Sequence, residues 1–351
     1  MLKRRIFSVI LFVCFIFQSL SLTSCGENLQ KYSEYSFDLF DTVTSITGYE
    51  KTQDDFDKVS AQILDELAEY HRLFDIYKRY EGMENLCTVN ELKDGEHRTV
   101  TVDKRIIDML IYAKEMYYKT DGNVNIAMGS VLSIWHDYRT HGIEEPWAAE
   151  LPPMEKLIAA SEHTDIEKMV IDEAAGTVTL TDPQMKLDVG AIAKGYAVEM
   201  AARTLEEKGI TGYVINVGGN IRTIGAKGNG EKWLAGIENP EGDEEKPYIE
   251  YLNLSGEALV TSGSYQRYYT VGDKRYHHII DPETLMPSDR FLSVSVVCQS
   301  SADGDALSTA LFCMTYEEGL DLIESLSGIE AMWQTTEGEV LFSSGFLNYT
   351  N

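Results

Sequence analysis

The chain has 351 residues, with 30 Lys and Arg against 57 Asp and Glu, so its formal net charge at pH 7 is −27. With 44% apolar and 25% charged residues, its composition is that of an ordinary folded protein rather than a disordered or collagen-like one. This length predicts one large domain or two intertwined ones. Nucleic acid is excluded as a partner, because its phosphates would be repelled by a protein this acidic without a dense basic face.

The first 25 residues differ in composition from the rest of the chain. A basic start at residues 3–5 precedes an apolar run at 6–20. This pattern is typical of a secretory signal peptide, and it is too short for a confident transmembrane helix. The sequence Leu-Thr-Ser-Cys that ends at Cys25 resembles a bacterial lipobox. Residues 1–24 are therefore predicted to be a lipoprotein signal peptide, with an uncleaved N-terminal anchor as the alternative.

Lipidation at Cys25 predicts an exported protein that is anchored to the extracytoplasmic face of a bacterial cell membrane. Residues 25–34 are predicted to be a polar tether, and 35–351 the folded domain. The three cysteines of that domain are irregularly spaced and form no CxxC pair. An odd, irregular set is not a disulfide framework, so we expect them to be small buried apolar residues.

In the first half, runs rich in β-branched residues alternate with helical patterns. Such runs predict strands at 37–49, in a hairpin over 169–180, and at 186–189. Apolar residues at helical spacing predict helices from Asp54, over 103–118, and from Gly190 to about Lys208. The stretch 136–153 contains three prolines and several charges, and it is predicted to be a surface excursion.

The second half is predicted to be mostly strand. The strands are expected at 213–217, 233–237, 249–254, 259–261, 276–280 and 291–298. Helices over 303–314 and 317–326 and strands over 330–335 and 340–343 are expected to follow. This order indicates an α+β fold with large, mostly antiparallel sheets packed by helices.

Residues 187–196 form the first segment suited to chemistry. A strand, a glycine turn and a helix start would bring free backbone N–H groups and Lys194 to one point, which suits a phosphate. The Walker pattern GxxxxGK[ST] is absent from this segment. A plain strand–turn–helix with a surface lysine remains an equally open interpretation.

Residues 303–310 form the second segment. On a helix that starts near Asp303, the side chains of Asp305, Ser308 and Thr309 would share one face. A carboxylate with two hydroxyls can hold Mg²⁺ beside a phosphate. Simple capping of the helix by Asp303 is the alternative.

The third segment is 276–282, where two adjacent histidines precede an Asp-Pro turn. Neighbouring strand residues project to opposite faces, so only one histidine need point into a site. His278 is a candidate for orienting a ligand or accepting a proton, and two partly exposed histidines are the alternative. Residues 217–220 and 261–263 are predicted small-residue turns that let a ligand approach the backbone.

Taken in order, five segments resemble the ApbE family of FAD:protein FMN transferases. They are LDVGAIAKGYAVE, INVGGNI, WLAGIENP, ALVTSGSYQRYYTVGDKRYHHIIDP and SVSVV with DGDALSTALF. The resemblance runs from about Phe40 to Phe342. It implies Mg²⁺-dependent transfer of FMN from the substrate FAD to a Thr or Ser hydroxyl of an exported or membrane flavoprotein subunit, with release of AMP. It also implies an active site in the groove between two lobes.

The same resemblance assigns roles to individual residues. The metal ligands it implies are the side chains of Asp305 and Thr309, with Ser308 nearby, and the carbonyl of Ala191. His278 and Lys194 are implied as catalytic. The residues implied to contact FAD are Asp188, Lys194, His278, Tyr77, Phe40, Gly219 and Asn125. The chain departs from the family at Asn125, where the family has Asp, and at residues 40–42, where many members have Met-Gly-Thr.

Three other functions remain open from the sequence. A Mg²⁺-dependent FAD pyrophosphatase would use water in place of the acceptor hydroxyl and release free FMN and AMP. A flavin-binding lipoprotein would store FAD without chemistry, although such a protein would need neither metal ligands nor a proton acceptor. A solute-binding lipoprotein would show tandem hinge-linked lobes, and the sequence shows no such pattern.

Overall fold

The computed structural model describes residues 29–91 and 98–350. The strands are β1 (Gln30–Leu39), β2 (Thr42–Glu50), β3 (Arg98–Thr101), β4 (Met169–Asp172), β5 (Thr177–Leu180), β6 (Tyr213–Val217), β7 (Asn220–Ile224), β8 (Trp233–Glu238), β9 (Tyr248–Leu254), β10 (Ala258–Gly263), β11 (Tyr268–Val271), β12 (Lys274–His277), β13 (Phe291–Cys298), β14 (Glu330–Thr335) and β15 (Val340–Phe342). The α-helices are α1 (Gln53–Phe74), α2 (Leu86–Asn90), α3 (Lys104–Lys119), α4 (Gly129–Glu144), α5 (Met154–Ser161), α6 (Ala193–Glu207), α7 (Ser301–Cys313) and α8 (Tyr316–Ser325).

A large antiparallel sheet organises the fold. Within the described residues it has eight strands in the order β1-β2-β6-β7-β10-β13-β14-β15. Helices α1, α6 and α7 cover one face, and α1 buries Phe56, Ile63 and Leu67 there because these residues recur at helical spacing. The β8–β9 pair covers part of the other face, where Ile237 and Leu252 belong to a second buried cluster. The predicted α+β class is confirmed.

A smaller unit lies beside this sheet. Helices α4 and α5 and the β11–β12 hairpin share their own buried cluster, which includes Trp135, Leu157 and Tyr269. The indole Nε1 of Trp135 donates a 2.9 Å hydrogen bond to the carbonyl oxygen of Leu285. This bond ties α4 to the segment that follows β12. The unit faces one end of the large sheet, and the space between the unit and the sheet is the candidate site.

The structure confirms several predicted elements. Strands β4 and β5 form the hairpin predicted over 169–180, β13 has the predicted bounds 291–298, and α3 lies within two residues of the predicted 103–118. Among the described residues, no helix combines the length and apolar character needed to span a bilayer. The predicted signal peptide and Cys25 lie outside the described residues.

Other predicted elements are wrong or have different bounds. Helix α4 extends to Glu144, so the surface excursion predicted over 136–153 begins too early. Strand β1 starts at Gln30, inside the tether predicted over 25–34. Residues 186–189 form no strand beyond a single bridge from Lys186 to Met128. The strand predicted over 276–280 stops at His277, and the strand predicted over 37–49 divides at a turn.

Candidate active site

A cavity of about 490 Å³ opens at one end of the large sheet, between that end and the smaller unit. It is bounded by the turn before β2, the turn after β6, the end of β10, the start of α6, and one face each of α4 and α7. The predicted site residues that line it are Tyr77, Asn125, Asp188, Ala191, Lys194, His278, Asp305 and Thr309. The fold therefore brings together residues that lie up to 232 positions apart along the chain, the separation of Tyr77 and Thr309.

Asp305 lies on α7, but it caps the N-terminus of the neighbouring helix α6. That helix has no side-chain cap of its own, and one carboxylate oxygen of Asp305 accepts a 2.7 Å hydrogen bond from the backbone N–H of Gly195. The other oxygen lies 3.4 Å from Nζ of Lys194. The two helices approach so closely that a Cβ at Gly195 would clash with the carbonyl oxygen of Ser301. Asp305 is almost completely buried, with 3% exposure.

The two hydroxyl residues after Asp305 have different environments. Thr309 lines the cavity, and its Oγ1 lies 3.4 Å from Oγ of Ser262. Ser308 is fully buried, and its hydroxyl pairs with Ser262 Oγ at 2.8 Å. Ser308 is not among the residues that border the cavity. The structure therefore brings Thr309, but not Ser308, to the cavity.

The residues that line the cavity fit the Mg²⁺ ion that the family resemblance implies. Mg²⁺ is held in proteins by one or two carboxylates, with waters and substrate phosphates completing the octahedron. The cavity offers this kind of set in the carboxylate of Asp305, the hydroxyl of Thr309 and the backbone at Ala191. In the described part of the chain, no group of three or more His, Cys, Asp or Glu side chains is arranged to hold a metal ion. A metal here would depend on oxygen atoms from the substrate.

His278 is held as a neutral imidazole with a defined tautomer. Its Nδ1 lies 3.3 Å from the carbonyl oxygen of Arg267. A carbonyl only accepts, so Nδ1 carries the proton and Nε2 keeps its lone pair. Desolvation lowers the pKa of His278 to about 3, and the positive charge of Arg267 acts in the same direction. The adjacent His277 is buried, with Nε2 2.6 Å from the carbonyl oxygen of Ser288, and of the two histidines only His278 lines the cavity.

A second group of polar side chains lies across the cavity on α4 and beside α6. Asp188 accepts a 2.8 Å hydrogen bond from the N–H of Gly190, and desolvation raises the pKa of its carboxyl. Arg139 lies 3.1 Å from His136 through Nη2 and Nδ1, and desolvation lowers the pKa of its guanidinium. The ring of Tyr77 lies 5.1 Å from the His136 ring. These residues combine aromatic rings with a partly buried cation.

Arg139 and His136 were not predicted to belong to the site, because both fall in the stretch that was predicted to lie at the surface. A signal was present. Leu132, His136 and Arg139 recur at helical spacing, and all three line the cavity. Arg267 was missed as well, and nothing in its local sequence marks it. Its Nη2 donates to the carbonyls of Phe40 at 3.3 Å and Asp41 at 3.2 Å.

Phe40 and Gly219, which were predicted to contact FAD, do not line the cavity, and a neighbouring residue lines it in each case. Phe40 and Asp41 form the β1–β2 turn with φ angles of 53° and 50°, but only Asp41 lines the cavity, while the Phe40 ring packs 5.2 Å from His71. In the β6–β7 turn, Gly218 rather than Gly219 lines the cavity. Gly218 has a φ of 57°, and a Cβ there would meet the Thr42 side chain.

Two further predictions differ in detail. Asn125 lines the cavity, but its amide holds the surrounding loop: Oδ1 accepts from Ala127 N and Nδ2 donates to Thr164 O, both at 2.9 Å. Helix α7 is capped by Ser300 rather than by Asp303, whose carboxylate accepts a hydrogen bond from Tyr112. Residues 261–263 end strand β10 instead of forming a turn, and β7 begins at Asn220 in the other predicted turn.

The fold and the cavity define an α+β enzyme with a site suited to a phosphorylated substrate. The ApbE family model matches residues 40–333. A Klebsiella pneumoniae protein named FAD:protein FMN transferase is 33% identical over 282 residues, covering 78% of this chain and 84% of that one. An Escherichia coli K12 protein of the same name is 29% identical over 241 residues, covering 68% and 67%.

Solved structures show the same relationship. The ApbE protein from Thermotoga maritima superposes with a TM-score of 0.79 at 25% identity, covering 92% of this chain and all of that one. The flavin transferase ApbE from Vibrio cholerae gives a TM-score of 0.74 at 25% identity, covering 92% and 99%. The chain belongs to the ApbE family.

Proposed function

We propose that the protein transfers FMN from FAD to a Thr or Ser hydroxyl of an exported or membrane flavoprotein subunit and releases AMP. The observation that carries the proposal is the shared cavity, which places the Asp305–Lys194 pair and Thr309 together with the neutral imidazole of His278. An anion-neutralising pair and a proton acceptor in one cavity are what phosphoryl transfer to a hydroxyl requires. The names of the relatives support the same reaction.

The acceptor hydroxyl oxygen attacks the FMN phosphorus of FAD, a new P–O bond forms, and the diphosphate P–O bond breaks so that AMP leaves. The Nε2 atom of His278 takes the hydroxyl proton, because Nδ1 is already protonated against Arg267 O. Lys194 lines the cavity at the N-terminus of α6, and together they would offset the charge of the diphosphate.

Mg²⁺ dependence is part of the proposal. Asp305, Thr309 and the Ala191 carbonyl would hold the ion, and a bound Mg²⁺ would neutralise charge on the diphosphate oxygens. The carboxylate of Asp305 is fixed by Gly195, so the ion would meet a ligand that is already oriented.

We also propose that the protein is exported and attached to the membrane through a lipid on Cys25. Strand β1 starts five residues after Cys25, so an extended linker would hold the domain within about 20 Å of its anchor. We expect Cys25→Ser to keep transferase activity and to lose membrane attachment. Metabolic labelling with a radioactive fatty acid checks this, and continued labelling of the variant would contradict the lipobox.

The activity is tested by product stoichiometry. The purified protein is incubated with FAD, Mg²⁺ and an exported redox subunit that carries an acceptor threonine. Protein-bound flavin is read by in-gel fluorescence, and AMP is read by chromatography. Transfer predicts one AMP for each flavin bound to the subunit. Free FMN with AMP would indicate a pyrophosphatase, and intact FAD would indicate a flavin carrier; either result overturns the proposal.

A further inference from the structure

Helices α6 and α7 exchange carboxylates at their N-terminal ends. Asp305 of α7 caps the N–H of Gly195 at 2.7 Å, and Glu199 of α6 accepts a 2.9 Å hydrogen bond from the N–H of Ser301, the first residue of α7. Gly195 and Glu199 are one turn apart on α6, as are Ser301 and Asp305 on α7. Each acid therefore satisfies a backbone donor that the other helix leaves unpaired.

Glu199 is held in place from both sides. It is 3% exposed and accepts from Nε of Arg222 at 3.0 Å and from Nε of Arg203 at 2.9 Å. Arg222 is itself 4% exposed, and it also donates to Glu206 at 2.9 Å. Glu199 thus joins the large sheet, through Arg222 on β7, to the first turn of α7. Glu199 has no role in the proposed proton or phosphoryl transfer.

We propose that Glu199 is a positioning residue for the proposed metal site. By fixing the start of α7 against α6, it holds Asp305 one turn later, with one carboxylate oxygen on Gly195 N and the other toward Lys194 and the cavity.

 This inference rests on the proposed function, because it assigns Asp305 to the metal. Partners that orient a ligand in this way govern metal affinity without touching the metal. Loss of the Glu199 contact is therefore expected to weaken Mg²⁺ binding.

Ser301 allows a test of this one hydrogen bond. Proline is well tolerated at the first position of a helix, and Ser300 already has the extended backbone that proline requires before it, with φ −113° and ψ 121°. The proline ring replaces the N–H and lies against the Glu199 carboxylate, so the contact is broken. Ser301→Pro deletes the donor to Glu199. Ser301→Ala is the matched control, because it keeps that N–H and removes a hydroxyl that has no hydrogen-bond partner.

A second pair of variants approaches the contact from α6. Glu199→Gln removes the carboxylate and places an amide N–H₂ against Arg222 or Arg203, which disturbs the side chain that holds α7. Glu206→Gln is its control, since it also removes a carboxylate from Arg222 but lies about two turns further along α6. Circular dichroism and thermal unfolding identify any variant that fails to fold. If one variant fails, the pair of variants on the other helix tests the inference.

The readouts are Mg²⁺ binding by calorimetry to the full chain loaded with FAD, and FAD binding in EDTA by flavin fluorescence. We expect Ser301→Pro and Glu199→Gln to raise the Mg²⁺ dissociation constant about 10- to 100-fold and to leave FAD binding in EDTA unchanged. Both controls should match the unmodified protein. Unchanged Mg²⁺ affinity in folded Ser301→Pro and Glu199→Gln overturns the inference. A protein that binds Mg²⁺ but transfers no FMN overturns the proposed function instead.

Discussion

Lys194 and Asp305 form an ion pair between helices α6 and α7 at the cavity, with 3.4 Å between Nζ and Oδ1. The pair holds opposite charges at a point where the diphosphate of FAD and a metal ion would meet. Because the other oxygen of Asp305 is bound to Gly195 N, the carboxylate can change its partner without turning. This arrangement links the packing of two helices to the chemistry proposed for the cavity.

Replacing Asp305 by Asn should remove Mg²⁺-dependent transfer and leave the fold intact. The amide oxygen still accepts from Gly195 N, but the charge that attracts the metal is lost. We expect a fall in kcat of about 100-fold or more. Asp303→Asn is the matched control, since Asp303 lies on the same helix and does not line the cavity. Equal rates for Asp305→Asn and the unmodified protein, or full activity of the latter in excess EDTA, would remove the metal from the mechanism.

His278 should remain an effective base well below neutral pH. Its pKa is lowered to about 3, so the imidazole stays neutral at pH values where an ordinary histidine, with a pKa near 6.5, is protonated. We expect His278 to contribute no ionisation near pH 6.5 to the pH profile of kcat/KM. Any ionisation seen near that pH should therefore persist in His278→Gln. The substitution itself should lower kcat more than it changes FAD binding. A rate that His278→Gln leaves unchanged at saturating FAD would exclude the residue from catalysis.

The same pKa shift makes a prediction about stability. The unfolded chain binds a proton at His278 near pH 6.5, whereas the folded chain does so near pH 3, so folding favours the neutral form. This contribution is fully present above pH 6.5 and is lost as the pH falls from there toward 3. Urea unfolding at pH 7 and pH 5 should show a smaller loss for His278→Gln than for the unmodified protein. An equal loss in both would contradict the shift.

Gly195→Ala should destabilise the protein although alanine favours helices. The added Cβ would clash with the carbonyl oxygen of Ser301 and the Cβ of Asp305, so α6 and α7 must separate. We expect a loss of about 1–3 kcal/mol in the free energy of unfolding. Gly319→Ala in α8 is the control, because its nearest neighbour is the flexible end of Leu311. Similar denaturation midpoints for the two variants would mean that the close approach is not needed.

Arg139→Gln should raise the KM for FAD. The guanidinium is a desolvated cation that lines the cavity, and FAD is an anionic substrate. Loss of a charge-assisted contact of about 1.5–3 kcal/mol predicts a KM at least about tenfold higher. Arg72→Gln on α1 is the control, because Arg72 does not line the cavity. Steady-state kinetics at saturating acceptor make the comparison, and an unchanged KM would mean that Arg139 does not contact the substrate.

Local patterns predicted much of the fold. The bounds of β13 follow from a continuous run of apolar and small residues, and the β4–β5 hairpin follows from two β-branched runs around a glycine at position 176. Helix α4 was predicted poorly because its residues face three environments: a small core at Trp135, the cavity at His136 and Arg139, and solvent. Such a helix has no simple amphipathic pattern.

Part of the site could likewise be predicted from the sequence, and part could not. Lys194, His278, Asp305 and Thr309 lie in segments whose order resembles a family, so the sequence located them, and the structure places all four at one cavity. The contact between His278 and the Arg267 carbonyl lies at the open end of the β11–β12 hairpin, one residue beyond each strand, and that between Glu199 and Ser301 joins residues about 100 positions apart. Tertiary packing of α6 against α7 creates the Glu199–Ser301 contact, and no local pattern encodes it.

The most direct test of the central claim is the intact mass of the acceptor subunit after incubation with this protein, FAD and Mg²⁺. The account predicts a gain equal to one FMN residue on a single threonine or serine, absent in EDTA and absent with Asp305→Asn. An acceptor of unchanged mass, in a reaction where FAD is consumed to free FMN and AMP, would contradict it.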